Sequence, residues 1–505
     1  MLFYNEDWMH FLWTRYRFGI DVNESSLKEY IYSFKGTQVT DFAMNVNGTT
    51  STAESEVLET FSKRFLAKSE NGVSVDYSDT FLKTAYELKT EKHIDMYQVW
   101  IDALNEVGIN PWISIRMNDV HGNCSPADFR KSSYVDANSH LHITRHRTEY
   151  EYFDRCFDYE FPEVRNGMLC YISEMLEKYD VCGLELDFTR EYILFRNGFE
   201  QFGAKIIVDF LKAVRDVLNN IEKKRSHPVK LSLLLPPSPI VCMEYGFDIS
   251  EITANVKIDC VTILPRWETI DTDMPFELWK RLLPSETLLG GGQQLLYRPY
   301  RRTYQETVST VDMAFGQAIA NMSRGADFVY LYNYMDCGNV EGKIPLRTYE
   351  KSIRNDANRP LIFNNIGKRE TLLKQSRSHV LTYSDAHSAW NAASIRLPIK
   401  FSGDSSAYFE KIRIAVGEIP ENSKVQLVLG VNSDEELTES DFEIYVNCSK
   451  AFYLKNEFID KHIYDKKCYV FDIRENLFNI MISEIKICKP CMLEYAEIKV
   501  IPCDF

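Results

Sequence analysis

The sequence has no window of 18 uninterrupted apolar residues, so no membrane-spanning helix is expected. It also lacks a GxGxxG turn, a P-loop, a GxSxG elbow and an HExxH pair. Those absences weigh against dinucleotide enzymes, nucleotidases, serine hydrolases and zinc proteases, whose chemistry rests on those backbone turns or ligand spacings. The one glycine cluster, Gly290-Gly291-Gly292, does not have dinucleotide spacing. Positive charge is in deficit: 58 Lys and Arg against 73 Asp and Glu give −15, which argues against nucleic acid or an anionic membrane as partner. The first residues carry neither a basic segment nor a long apolar run, so no signal peptide is expected. The 12 cysteines are scattered, and the close pair Cys488-Lys-Pro-Cys491 has no second pair or histidine at zinc spacing. Free thiols in a reducing, cytoplasmic compartment are therefore expected, with no metal and no cofactor.

What is present is a chain of 505 residues, longer than one ordinary domain. Up to about residue 365, strand-like runs alternate with helix-length amphipathic stretches. The runs are Leu2–Tyr4, Val39–Met44, Pro111–Met117, Gly183–Phe188, Val229–Leu235, Cys260–Leu264, Thr287–Gly292 and Phe328–Tyr332. Helices are expected between most of them, over Glu91–Val107, Phe161–Tyr179, Phe202–Asn220 and Thr307–Arg324. Eight such units fit a (β/α)8 barrel. Residues 366–505 change texture: Ala393–Phe401, Glu410–Val416, Lys424–Leu429, Phe442–Val446, Tyr469–Phe471 and Met481–Ile487 read as short strands between polar turns. That pattern predicts a β-sandwich accessory domain after a barrel of residues 1–365. Two long barrel loops, about 45–90 and 118–159, have the length of functional loops.

The stretch Val181-Cys-Gly-Leu-Glu-Leu-Asp-Phe-Thr-Arg-Glu191 points to chemistry. On a strand, Glu185, Asp187 and Thr189 share one face and Leu184, Leu186 and Phe188 the other. Two carboxylates on one face are costly unless that face meets water, ligand or fixed hydrogen bonds. Barrel enzymes place reactive groups at strand C-termini, and glycoside hydrolysis needs one carboxyl group as acid and another as base or nucleophile. Asp187 is the expected nucleophile or base, with Glu185 or Glu268 as acid; a structural ion-pair network with Arg116 or Arg190 is the plainer alternative. Arg116 could hold a carboxylate or a substrate group, and Asn118, Asp119 and His121 begin a loop suited to sugar hydroxyls. Asn45, Gln293, Tyr332 and Asn333 add polar and aromatic groups at other strand ends, and Trp267 offers a stacking face. Asp273 is expected to cap a helix.

Phe157-Asp-Tyr-Glu-Phe-Pro-Glu-Val-Arg165, followed by Tyr179-Asp-Val-Cys-Gly-Leu-Glu-Leu-Asp187, resembles the signature of glycosyl hydrolase family 10-like proteins. Ile115–His121 and Arg324–Asn333 look like further motifs of bacterial members. The resemblance implies a TIM-barrel glycosidase, often with an appended β-sandwich. The same strand is similar to the DGxDxDxE motif of family 18 chitinases, but Cys182 and Thr189 replace the first Asp and the catalytic Glu, which argues against substrate-assisted chemistry. A glycoside hydrolase acting on an oligosaccharide or glycoside is the expected function. The alternatives are a catalytically silent carbohydrate-binding barrel and a metal-dependent sugar isomerase or epimerase, which would need His121 or His142 beside Asp187 and Glu185. The expected partner is a carbohydrate, not nucleic acid or membrane, and assembly into a homo-oligomer stays open.

Overall fold

The computed structural model describes residues 1–64, 79–122, 130–143, 151–265, 269–294, 296–297, 307–334, 352–353, 356–381, 397–404, 406–459 and 463–503. Its eight expected barrel strands are all present. They are β1 (Leu2–Asp7), β2 (Asp41–Asn45), β3 (Asn110–Arg116), β4 (Gly183–Asp187), β5 (Lys230–Leu235), β6 (Cys260–Ile263), β7 (Leu288–Gln293) and β8 (Phe328–Leu331). All pair in parallel, and β8 closes against β1 to complete a barrel.

Register decides which side chains enter the barrel. Parallel partners share a face, so the chain of pairings Ala43–Trp112, Trp112–Gly183 and Glu185–Ser232 turns these residues inward together. The lower interior is aromatic: the Phe3 ring lies 5.1 Å from both Trp112 and Phe328 and 5.6 Å from Tyr330. Such rings fit only where the facing strand gives up its side chain. A Cβ on Gly183 would overlap the Trp112 ring, and one on Gly290 the Phe328 ring. The triple glycine of β7 is thus a packing device for bulky neighbours. Gly183→Ala is expected to destabilise the protein by about 1–3 kcal/mol, the usual cost of overpacking, read as a lower denaturation midpoint.

Helices cover the outside. Met96–Val107 starts at an Asp95 cap, buries Trp100, Ile101 and Leu104, and stops at Gly108 with φ +75°. Pro162–Lys178 begins with proline in its first turn and buries Tyr171, Ile172, Met175 and Leu176. The first long loop holds a helix of its own, Asp79–Thr90.

Beyond the barrel, antiparallel strands form two main sheets. One runs Arg377–Val380, Pro490–Ile501, Lys424–Asn432, Lys467–Ile473, Phe452–Phe458, with Ile399–Ser402 also on Pro490–Ile501. The other runs Glu410–Ala415, Ile480–Ile487, Phe442–Val446, Ser449–Lys450. Leu427, Leu429, Ile412, Ile444, Ile485 and Ile498 share the core between them, as in a β-sandwich. Among the described residues, four strands of this part were not expected from the sequence: Arg377–Val380, Ser449–Lys450, Phe452–Phe458 and Pro490–Ile501, the last the longest of those described. Asp273 is not a helix cap, that position being Pro275. Its carboxylate instead meets Arg324 of the barrel at 2.7 Å and Arg413 of the sandwich at 2.6 Å, joining the two parts.

Candidate active site

The upper barrel interior is polar. Asp187, the last residue of β4, is level with Arg116 on β3, and Asp7 on β1 is level with Asn45 on β2. These side chains are buried at the carboxyl end of the strands, where barrel enzymes work. Asp187 accepts three hydrogen bonds: from Thr189 N at 2.8 Å and Thr189 Oγ1 at 2.6 Å on Oδ1, and from the Tyr332 hydroxyl at 2.7 Å on Oδ2. The short Thr189 turn and the Tyr332 ring, just past the end of β8, fix its carboxylate from two sides. Burial, and then the Asp187 carboxylate, push the Tyr332 hydroxyl up, so it stays a donor.

Glu185 lies one layer deeper, fully buried, with Oε1 2.6 Å from the Tyr330 hydroxyl. Burial pushes its carboxyl up to about 8, with Asp187 adding to the rise while hydrogen bonds from Tyr330 and Ser114 pull back. At neutral pH it is a neutral acid beneath the site. Glu185 precedes Asp187 by two residues on the same face of β4, so it lies farther from the carboxyl end of the strand. Its raised value carries a sign for stability. Between the ordinary glutamate range and about pH 8 the unfolded chain has released this proton and the folded one has not, so folding loses stability as pH rises. Glu185→Gln removes that loss. Thermal unfolding at pH 5 and pH 8 is expected to show the variant gaining on the wild type at the higher pH.

Arg116 is the hub of the remaining groups. It donates to Asp7 Oδ2 at 2.7 Å, Asp119 Oδ2 at 3.2 Å and Asn333 Oδ1 at 3.3 Å. Burial alone would lower its pKa, but Asp7 and Asp119 outweigh that and hold it well above the usual range. Asp119 continues the chain through Oδ1, 2.6 Å from His121 Nδ1. Burial opposes its ionisation, yet His121, Arg116 and Arg190 hold its carboxyl far below the ordinary carboxylate range. The His121 side chain is one quarter exposed, at the rim. Two buried atoms beside this hub have no hydrogen-bond partner among the described residues: Asn45 Oδ1, an acceptor, and Asn333 Nδ2, a donor. Leaving such buried atoms unsatisfied costs free energy.

The structure therefore brings together Asp187, Arg116, Asp119, His121, Asn45, Tyr332 and Asn333. Two candidates are placed elsewhere. Gln293 faces outward, its amide donating to Ala314 O at 3.1 Å, because strand parity puts Gly292 and Gln294 inward instead. Asn118 spends its side chain on backbone, donating to Phe157 O and Ile193 O and accepting from Phe157 N, each at 2.9 Å. It pins two loops together. Trp267 and Glu268 lie outside the described residues. Asp7 was missed, although the alternation Phe3, Asn5, Asp7 on β1 places it on the inner face; it also caps the following helix through Met9 N at 3.0 Å. Among the described residues no group of three or more His, Cys, Asp or Glu is set to hold a metal ion, and His142 packs against the Phe157 ring at 5.0 Å. No described helix is long and apolar enough to cross a membrane.

No family model and no curated protein matches the chain. Solved structures that resemble it include an α-amylase from Anoxybacillus, 10% identical over 100% of this chain and 98% of that one, with a TM-score of 0.38. The PgaB glycoside hydrolase domain from Bordetella bronchiseptica is 10% identical over 66% of this chain and 93% of its own, with a TM-score of 0.36. A cycloisomaltooligosaccharide glucanotransferase from Paenibacillus is 9% identical over 98% of this chain, with a TM-score of 0.34. The chain spans 57% of the length of that last protein. At these values none of the three assigns an activity here, and the family 10-like resemblance rests on its own motifs.

Proposed function

We propose that the chain is a glycoside hydrolase acting on an oligosaccharide or glycoside, with Asp187 as nucleophile or general base. The observation that supports this reading is the buried polar cluster of Asp187, Arg116, Asp7 and Asp119 at the carboxyl end of the barrel strands. A sugar offers hydroxyls that donate and accept at once, which suits such a set of fixed donors and acceptors. In the reaction, Asp187 either attacks the anomeric carbon, forming a glycosyl ester that water then hydrolyses to free the sugar and the carboxylate, or takes a proton from the water that attacks directly. The glycosidic C–O bond breaks, and its electron pair leaves with the aglycone oxygen, which a second group protonates. Glu268, following β6, is proposed for that proton. Residues 1–365 would carry the chemistry and 366–505 an accessory role, in a cytoplasmic protein without metal or cofactor.

A second reading has its own support. Both oxygens of Asp187 are engaged by protein donors, and its exposure is 1%. That suits a silent carbohydrate-binding barrel. A screen of nitrophenyl glycosides and oligosaccharides separates the two. Release of aglycone or reducing sugar supports the hydrolase; saturable sugar binding with no release in any case removes it.

A further inference from the structure

Beside the hub, between the ends of β2 and β3 and the helix Pro162–Lys178, lies a cavity of about 340 Å³. Its floor includes Arg116 and Asp119, and its walls include Leu58, Tyr134, Phe157 and Met168. The volume falls within the range of small-molecule pockets, which are mostly apolar with a few fixed polar groups. The wall is open to solvent: Tyr134 is 46% exposed and the neighbouring Val57, also lining it, 41%. Contiguous exposed apolar surface rimmed by polar residues is what a ligand-binding groove presents.

A second observation points the same way. Gly167 sits in the interior of Pro162–Lys178, where glycine destabilises a helix relative to alanine. Nothing lies within 4 Å of where its Cβ would be, and its φ is not in the left-handed region. Neither packing nor backbone conformation requires glycine there. Gly167 does line the cavity, and the space around its missing side chain is open.

We infer that this cavity is an aglycone subsite, taking the apolar alkyl or aryl part of a glycoside whose sugar lies against its polar floor, Arg116 and Asp119. The inference rests on the proposed function and deepens it, by naming glycosides with an apolar aglycone in place of purely polar oligosaccharides. The sugar ring would lie over Arg116, and the chain attached to its anomeric oxygen would run across Asp119 toward Met168.

The test reads binding alone. In the full-length Asp187→Asn protein, which blocks turnover, calorimetry compares n-octyl glycosides of glucose, galactose, mannose and N-acetylglucosamine, each below its micelle concentration, with the corresponding methyl glycosides. At least one octyl glycoside is expected to bind about tenfold more tightly than its methyl partner, since each buried methylene favours binding. Adding Gly167→Leu is expected to erase that tenfold difference. Gly167→Ala, too small to fill the space, is expected to keep it within about twofold. A folded Gly167→Leu protein that keeps the octyl preference overturns the subsite. So does the lack of any octyl preference in the parent. If the octyl preference holds while the wild type cleaves no glycoside at all, the hydrolase reading fails and the pocket remains.

Discussion

Arg116→Met is expected to lower the stability of the protein by about 3–5 kcal/mol, the cost of removing one partner from a buried ionic cluster. The guanidinium serves two carboxylates at once, Asp7 on β1 and Asp119 beyond β3, and all three side chains are almost entirely shielded from water. Methionine fills similar volume and leaves both acids without it. A surface pair would contribute little, because water screens it, but here the penalty is that of stranded buried charge. The loss depends on pH in a definite direction. Burial alone would raise Asp119, yet His121, Arg116 and Arg190 hold it far below the ordinary carboxylate range. A depressed carboxyl contributes stability that is complete above its unfolded value and lost as pH falls through the folded one. The wild-type advantage over Arg116→Met is therefore expected to be full at neutral pH and to shrink toward strong acid. Urea denaturation at pH 7 and pH 3 measures it; midpoints that coincide at pH 7 would show that the cluster holds nothing together.

Asp187→Asn is expected to reduce turnover of any cleaved glycoside by about 10³-fold or more, with KM changed much less. The amide is isosteric, so Thr189 N–H keeps an acceptor oxygen and the barrel keeps its shape. What is lost is the negative oxygen that attacks carbon or accepts a proton. Tyr332→Phe should cost less, about tenfold, since it removes one hydrogen bond that orients the carboxylate while leaving the carboxylate in place. Steady-state kinetics of both variants on one substrate check the order. A Tyr332→Phe effect equal to that of Asp187→Asn would move the essential group from the carboxylate to the phenol.

The barrel was legible because its strands are apolar runs separated by helical periodicity, and all eight were found within a few residues. β4 was clearest, since Glu185 and Asp187 break an apolar run at a spacing of two. The sandwich was harder. Pro490-Cys-Met-Leu-Glu-Tyr-Ala-Glu opens with a proline and carries two glutamates, so its pattern suggests no strand, although Glu494 and Glu497 are satisfied by Tyr464 and Tyr495 in the fold. Tertiary partners override local composition there. In the site, Gln293 and Gln294 could not be told apart by residue type; a register shift of one reverses which of two neighbours faces inward. Asp7 was hidden because a carboxylate before a helix already has an ordinary explanation as a cap. Glu185 was read by parity alone, which gives the face of a strand and not the depth along the barrel axis. Gly167 gave no signal at all, since only the space around its missing side chain distinguishes it.

The most direct test is anion rescue of Asp187→Ala, assayed on a glycoside that the wild type cleaves. Removing the whole carboxylate leaves room for a small anion, so sodium azide should restore turnover by about tenfold or more and appear in the product as a glycosyl azide. A purely structural aspartate gives no such product. Wild-type turnover by Asp187→Ala, or an inactive Asp187→Ala protein that folds normally and is indifferent to azide, would contradict the role assigned to this residue.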